Sequence, residues 1–340
     1  MVVRSENPWE TSTKSDFISV GSYKLFLSTS GPPRKHGQPV IIYFTGGGAP
    51  SIVYMRLQEN LSEFTRTYFY DRAGYNNSDR GPDEWVTTQR SAQELRALMR
   101  AVNVEPPYII VSHSYGSIVA RSFLELYPNT VAGAVLIDSA TELMFELYPS
   151  VPCEELKVIG TNVDFAEVTH LKEESHLSDN EWAAIIKAIS RTTQGAGAED
   201  NRGSGTWLAQ RQEMQRQVMA DKPLSVIKCN AADKDYKVIY EHGVKMGNGT
   251  KEERERAQKF IDSYRIFDDQ IKAAQLRLSR NSRYVVIDCY GHDMPIRRPQ
   301  LVAKEVKWVL EQLRYRKNSL HHSASAVESR EMFAQPARIS

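Results

Sequence analysis

"YIIVSHSYGSIVA", Tyr108–Ala120, decides the architecture. Tyr108 to Val111 are apolar at every position, which predicts a strand buried on both faces. Tyr115 to Tyr127 reads as a helix, stopped by Pro128. Between the two stands Ser112-His113-Ser114-Tyr115-Gly116, a serine with a small residue two positions to either side. This pattern predicts a nucleophile elbow. Ser114 Oγ must project from a tight strand-to-helix turn, and only small side chains fit two before and two after it. The helix then aims its positive end and its free N–H groups at the serine. Small-x-Ser-x-Gly arises often by chance, and its place between an apolar strand and a helix is what makes it specific.

Working outward, apolar runs and helical periods alternate. Phe17 to Ser28 reads as a hairpin turning at Gly21-Ser22. "PVIIYF" (Pro39–Phe44), "TYFYD" ending at Asp71, "AGAVLID" ending at Asp138, "PLSVIKC" (Pro223–Cys229) and "RYVVIDC" (Arg283–Cys289) read as further strands. A helix carries Ala92, Leu95, Leu98, Met99 and Val102 on one face, and a closing helix from Pro299 carries Val302, Val306, Val309 and Leu313. Short continuous apolar strands separated by amphipathic helices predict an α/β fold, its mostly parallel central sheet flanked by helices.

Between Asp138 and Pro223 the strand pattern lapses. Ser178 and Glu181 form a capping box that starts a helix, and Trp207, Arg211, Met214 and Val218 lie on one side of a second. "QGAGAEDNRGSG" between them reads as a loose linker. Residues 141–221 are therefore expected to form a helical lid on a core made of residues 1–140 and 222–316. The lid leaves the carboxyl end of a parallel strand, where open α/β sheets bind ligands. Residues 317–340 are polar without periodicity and are expected to be a disordered tail.

Composition narrows the function. With 43 basic against 42 acidic residues the net charge is +1, and no basic stripe is interleaved with aromatics, so no nucleic-acid partner is expected. A small-molecule substrate is the better reading. The three cysteines, Cys153, Cys229 and Cys289, are far apart and form no CxxC pair, which argues against a disulfide framework and a zinc site. No signal-peptide core and no spanning apolar run is present, so a cytoplasmic protein without membrane insertion is expected.

From residue 15 to 315 the chain resembles the α/β-hydrolase fold, through "FTGGGAP", "YDRAGYNNSD", "VSHSYGSIVARSFLELYPNTVAGAVLIDS" and "YGHDMPIRRPQLV" in the family's order. The likeness is greatest to its esterase-like and aminopeptidase-like branch. Two positions depart from the family pattern: Ser112 where glycine is usual, and Thr45 where histidine usually precedes the glycines.

A serine hydroxyl needs a base. His292, in "CYGHDMP" after the last strand, is the candidate; His113 lies on an alternating strand and is expected to point away from Ser114 Oγ. For the acid that orients the base, the resemblance implies Asp233, after the strand Pro223–Cys229. Asp138 ranks second, at a position a minority of relatives use, and Asp235 third. The oxyanion is expected to meet the N–H groups of Tyr115 and Gly47. "GGGAPS" lacks the Lys-Ser/Thr of a phosphate loop. Asp71-Arg72 and Asp79-Arg80 read as turns with surface ion pairs, and Glu154-Glu155 and Glu173-Glu174 as solvated faces.

These residues point to cleavage of a carboxylic ester, lactone or thioester through an acyl-enzyme, with neither metal nor organic cofactor. Amide or aminopeptide cleavage and acyl transfer fit the same residues. So do a lyase, a cyclase or a ligand receptor built on an intact triad. Epoxide hydrolysis and dehalogenation need a carboxylate where Ser114 stands.

Overall fold

The computed structural model describes residues 6–332, their side chains as far as 316. Eight strands form one sheet: β1 (Lys14–Ser19), β2 (Lys24–Ser30), β3 (Val40–Phe44), β4 (Thr67–Tyr70), β5 (Tyr108–His113), β6 (Val131–Ile137), β7 (Leu224–Cys229) and β8 (Ser282–Ile287). Their order is β1-β2-β4-β3-β5-β6-β7-β8. β1 and β2 pair antiparallel, as do β2 and β4; every other neighbouring pair is parallel. This is the α/β-hydrolase fold.

The unbroken apolar runs follow from burial on both faces. Tyr108 and Ile110 of β5 enter one core, with Leu95, Leu98, Ile118 and Phe123 of the helices Thr88–Ala101 and Gly116–Leu126. Ile109 and Val111 enter the other, with Leu57, Leu61, Val302 and Val306 of the helices Met55–Ser62 and Pro299–Met332. Period 2 along the strand meets period 3.6 along the helices on each side. The β1–β2 hairpin turns through Gly21, whose φ of 121° suits glycine.

Topology brings the chemistry-bearing loops together. β3, β5, β6, β7 and β8 are successive parallel neighbours, so the loops after them open on one edge of the sheet. Those loops carry Gly47, Ser114, Asp138, Asp233 with Asp235, and His292 respectively.

Between β6 and β7 the chain inserts helices, including Asp179–Gly197, Asn201–Arg211 and Glu213–Arg216. The capping box of Ser178 and Glu181 is present. Three other expectations need correction. The glycine-rich stretch is not loose: it ends one helix and begins the next, and a Cβ on Gly195 would lie 2.3 Å from the Gly74 carbonyl oxygen. Its glycines allow backbone contact rather than motion. The single helix expected through Trp207 and Val218 is broken at Gln212 and Gln217, both left-handed (φ 51° and 50°). The long helix Lys251–Ala274 had no counterpart in the strand-and-helix pattern, although Thr250 and Glu253 cap it as a box.

Buried ion pairs fasten the insertion to the core. Arg121 of the helix after Ser114 meets Glu142 and Glu213, and Arg72 meets Glu199. The closing helix continues to Met332, so the stretch from 317, expected to be a tail, is helical that far; residues 333–340 lie outside the described ones. No helix among the described residues is long and apolar enough to cross a membrane.

Candidate active site

Ser114 occupies the turn between β5 and the helix Gly116–Leu126 with φ 54°, a left-handed conformation that costs energy for a residue with a Cβ. Neighbours hold it there. Its amide donates to Ile137 O at 3.1 Å, and its carbonyl accepts from Ser117 N at 3.0 Å and Ala140 N at 3.1 Å. Gly116 is required by close approach, since a Cβ would stand 2.3 Å from Phe44 O and 2.5 Å from Thr45 O. Both are backbone atoms at the end of β3 and cannot swing aside as a side chain would. Gly116→Ala is expected to destabilise the fold by about 1–3 kcal/mol; an unchanged thermal melt would show that the turn relaxes freely. Ser112, where glycine is usual, places its hydroxyl 2.9 Å from Ser117 Oγ, which in turn donates to Ser139 Oγ at 2.8 Å. The departure is a satisfied buried polar chain.

The glycine loop is held from behind. The Gly46 amide donates to Tyr54 Oη at 3.2 Å and the Gly48 amide to Tyr75 Oη at 3.0 Å. The amides of Gly47 and Tyr115 carry no hydrogen bond to another described residue. A Cβ on Gly47 would meet Tyr115 Cβ at 3.5 Å, so the glycine loop packs directly against the Tyr115 side chain. Arg72 corrects its surface reading: it is fully buried and donates to Thr45 O (2.7 Å), Thr45 Oγ1 (3.1 Å) and Gly46 O (3.0 Å) while pairing with Glu199 (2.6 Å). Thr45, where histidine is usual, is thus anchored by Arg72. Glu199 also accepts from Tyr75 Oη at 2.8 Å, tying the insertion to the loop.

His292 follows β8. Its ring Nδ1 lies 2.5 Å from Asp138 Oδ2. The ranking of the acids is therefore corrected. Asp233 is half-exposed and pairs with Arg265, 2.7 Å away, while its amide donates to Asn230 Oδ1 at 3.2 Å. Asp138, at the end of β6 with φ 40°, stands between the β5 and β8 loops. Asp235 takes a third place: its Oδ2 accepts the His292 backbone amide at 2.6 Å. A Cβ on Gly291 would lie 2.1 Å from Asp235 Oδ1, which is why glycine precedes the histidine.

Electrostatics follow from these contacts. Burial pushes Asp138 towards neutrality, but the Lys272 ammonium and the His292 hydrogen bond outweigh it and hold the carboxyl well below the usual range. Burial works against a charged His292, yet the hydrogen bond and charge of Asp138 raise it above the ordinary imidazole value. Asp235 is pushed up to about 7 by burial and by Asp293.

Three residues at this site were missed or given no part. Lys272, from the helix Lys251–Ala274, is wholly buried and donates to Asp138 Oδ1 at 2.7 Å. His113 packs its ring 4.5 Å from that of His292, centroid to centroid. Burial, then the charge of His292, keeps it neutral, so Nε2–H donates to His292 O at 2.9 Å and Nδ1 accepts from Tyr54 Oη at 2.8 Å. Tyr54 thereby links the Gly46 amide to the loop of His292. No short sequence pattern announces these contacts.

Ser114, Tyr115, Gly47, Asp138 and His292 all line one cavity of about 760 Å³, to which the insertion contributes Met144, Phe145 and Phe165. Ser114 and His292 both line it, and a nucleophile–base hydrogen bond often tightens only when substrate binds. Among the described residues no cluster of His, Cys, Asp or Glu could hold a metal ion.

Residues 39–158 match the family described as alpha/beta hydrolase fold. A Gibberella zeae protein, "AB hydrolase superfamily protein", is 28% identical over 91% of this chain and 99% of its own length. The "Probable transporter efuK" of Hormonema carpetanum is 31% identical over 90% of this chain, which spans only 44% of that protein. Among solved structures, a thermophilic esterase from Thermogutta terrifontis superposes with a TM-score of 0.53 at 17% identity, covering 88% of this chain and 99% of its own. That likeness is one of fold.

Proposed function

We propose that this chain, which has the α/β-hydrolase fold and over residues 39–158 matches the family of that description, is a serine hydrolase cleaving a carboxylic ester, lactone or thioester. The observation that carries the reading is the imidazole of His292, fixed through Nδ1 on buried Asp138, opening on the same cavity as Ser114. Nδ1–H donates to Asp138, which leaves Nε2 free to take the hydroxyl proton as Ser114 Oγ attacks the carbonyl carbon. The developing oxyanion is met by the unengaged amides of Gly47 and Tyr115. His292 then returns the proton to the leaving alcohol or thiol. Water, activated by the same ring, releases the acid and restores Ser114. The cavity's volume suits a small organic substrate.

Two measurements test this. A short p-nitrophenyl ester is expected to give a burst of nitrophenol, and a fluorophosphonate probe to label Ser114. Labelling without turnover would instead favour a non-hydrolytic chemistry on the same residues. The working form needs neutral His292, and Asp138 raises the pH at which the ring loses its proton. kcat/KM is therefore expected to fall in acid with a midpoint above the ordinary histidine value of about 6.5. A midpoint below that value would contradict the Asp138 contact.

A further inference from the structure

Asp138 uses its two oxygens differently. Oδ2 takes His292; Oδ1 takes Lys272 Nζ at 2.7 Å and the Cys229 amide at 3.1 Å. Lys272 is in turn 3.3 Å from Asp268, one helical turn earlier on the helix Lys251–Ala274, and all three charged side chains are buried. Orienting a carboxylate does not require a buried lysine, because the Cys229 amide already points at Oδ1. An isolated ammonium there would also oppose the positive charge that His292 acquires. The second carboxylate changes the balance: Asp138, Lys272 and Asp268 together carry one negative charge, and the imidazolium brings the line to zero.

The geometry points to Lys272 and Asp268 as positioning residues of the candidate site: a buried ion pair behind Asp138 that holds its Oδ1 and sets how strongly it favours a charged His292. The inference rests on the serine-hydrolase reading. Lys272 Nζ touches Asp138, whereas Asp268 lies beyond it, so the pair acts on His292 as a dipole with its positive end nearer. Removing the whole pair therefore favours the imidazolium. Removing Asp268 alone leaves the lysine's charge uncompensated and disfavours it. Lys272 lowers the readiness of His292 to hold its proton, against the effect of Asp138. The other groups facing the ring are Asp235 from the β7 loop, Asp293 beside it and His113 from β5. These are common to every variant compared, so a difference between variants belongs to the pair.

The test is the pH dependence of kcat/KM on a p-nitrophenyl ester and of the fluorophosphonate labelling rate, in wild type, Asp268→Asn, and the double variant Lys272→Met with Asp268→Asn. Asp268→Asn is expected to move the acid midpoint down by about half a unit, and the double variant to move it up by about one. Rates that fall with both midpoints unchanged, or midpoints that move the same way, would overturn the inference and leave the pair a purely structural element. Asp268→Asn keeps the side chain's size, so if the double variant does not fold the single one decides. Ser114→Ala separates this from the underlying reading: wild-type turnover in that variant sinks the serine mechanism itself, whatever the midpoints do.

Discussion

Ser114→Ala is expected to lower kcat/KM by about 10⁴-fold or more and to abolish both the nitrophenol burst and fluorophosphonate labelling. The size of the effect follows from the absence of a substitute. The nearby hydroxyls of Ser112, Ser117 and Ser139 are buried and hydrogen-bonded in line to one another, so none can approach a carbonyl in the cavity. What survives is the residual contribution of oxyanion donors and substrate binding, about 10³–10⁴-fold over water in dissected triads. The glycine loop is held by Tyr54, Tyr75 and Arg72 independently of the Ser114 side chain, so the variant is expected to melt close to wild type. Turnover within tenfold of wild type, in a folded sample, would end the assignment.

The second large effect separates two carboxylates. Asp138→Asn is expected to cost about 10³–10⁴-fold in kcat, because the wrong histidine tautomer is then imposed. The contacts dictate this. Lys272 and the Cys229 amide are both donors aimed at Oδ1, so the asparagine oxygen must face them and its NH₂ must face His292 Nδ1. The ring then accepts at Nδ1 and carries its proton on Nε2, where it cannot take one from Ser114. Asp233→Asn breaks only a half-exposed contact with Arg265 and is expected to leave kcat within about twofold, as exposed pairs contribute little. Measuring both variants on one ester decides the acid. Equal losses, or a larger loss at position 233, would reverse the order.

Legibility differed between the fold and the site. The strand β5 and its elbow were readable because the information is local: four apolar residues, a serine between small neighbours and a helix compete with no other arrangement. The hairpin, the capping box at Ser178 and the closing helix from Pro299 were readable for the same reason. The helix Lys251–Ala274 is equally local, since its box at Thr250 and Glu253 marks its start in the sequence. Arg72 departs from its expected surface place for a different reason. A charged residue in a turn is ordinarily solvated, and only Glu199, 127 positions away, reveals that this one is buried.

The sequence by itself determined the α/β architecture, the strand-to-helix turn that presents Ser114 and the strand end that carries His292, since each is written within a dozen residues by periodicity and steric size. The tertiary structure alone decided which acid meets the imidazole and what stands behind it. That choice depends on β6 lying between β5 and β7, on the left-handed turn at Asp138, and on a helix from a distant part of the chain bringing Lys272 within 2.7 Å. A carboxylate's partner is set by distances of an ångström or two across strands far apart in the chain, and no local pattern of residues encodes such distances.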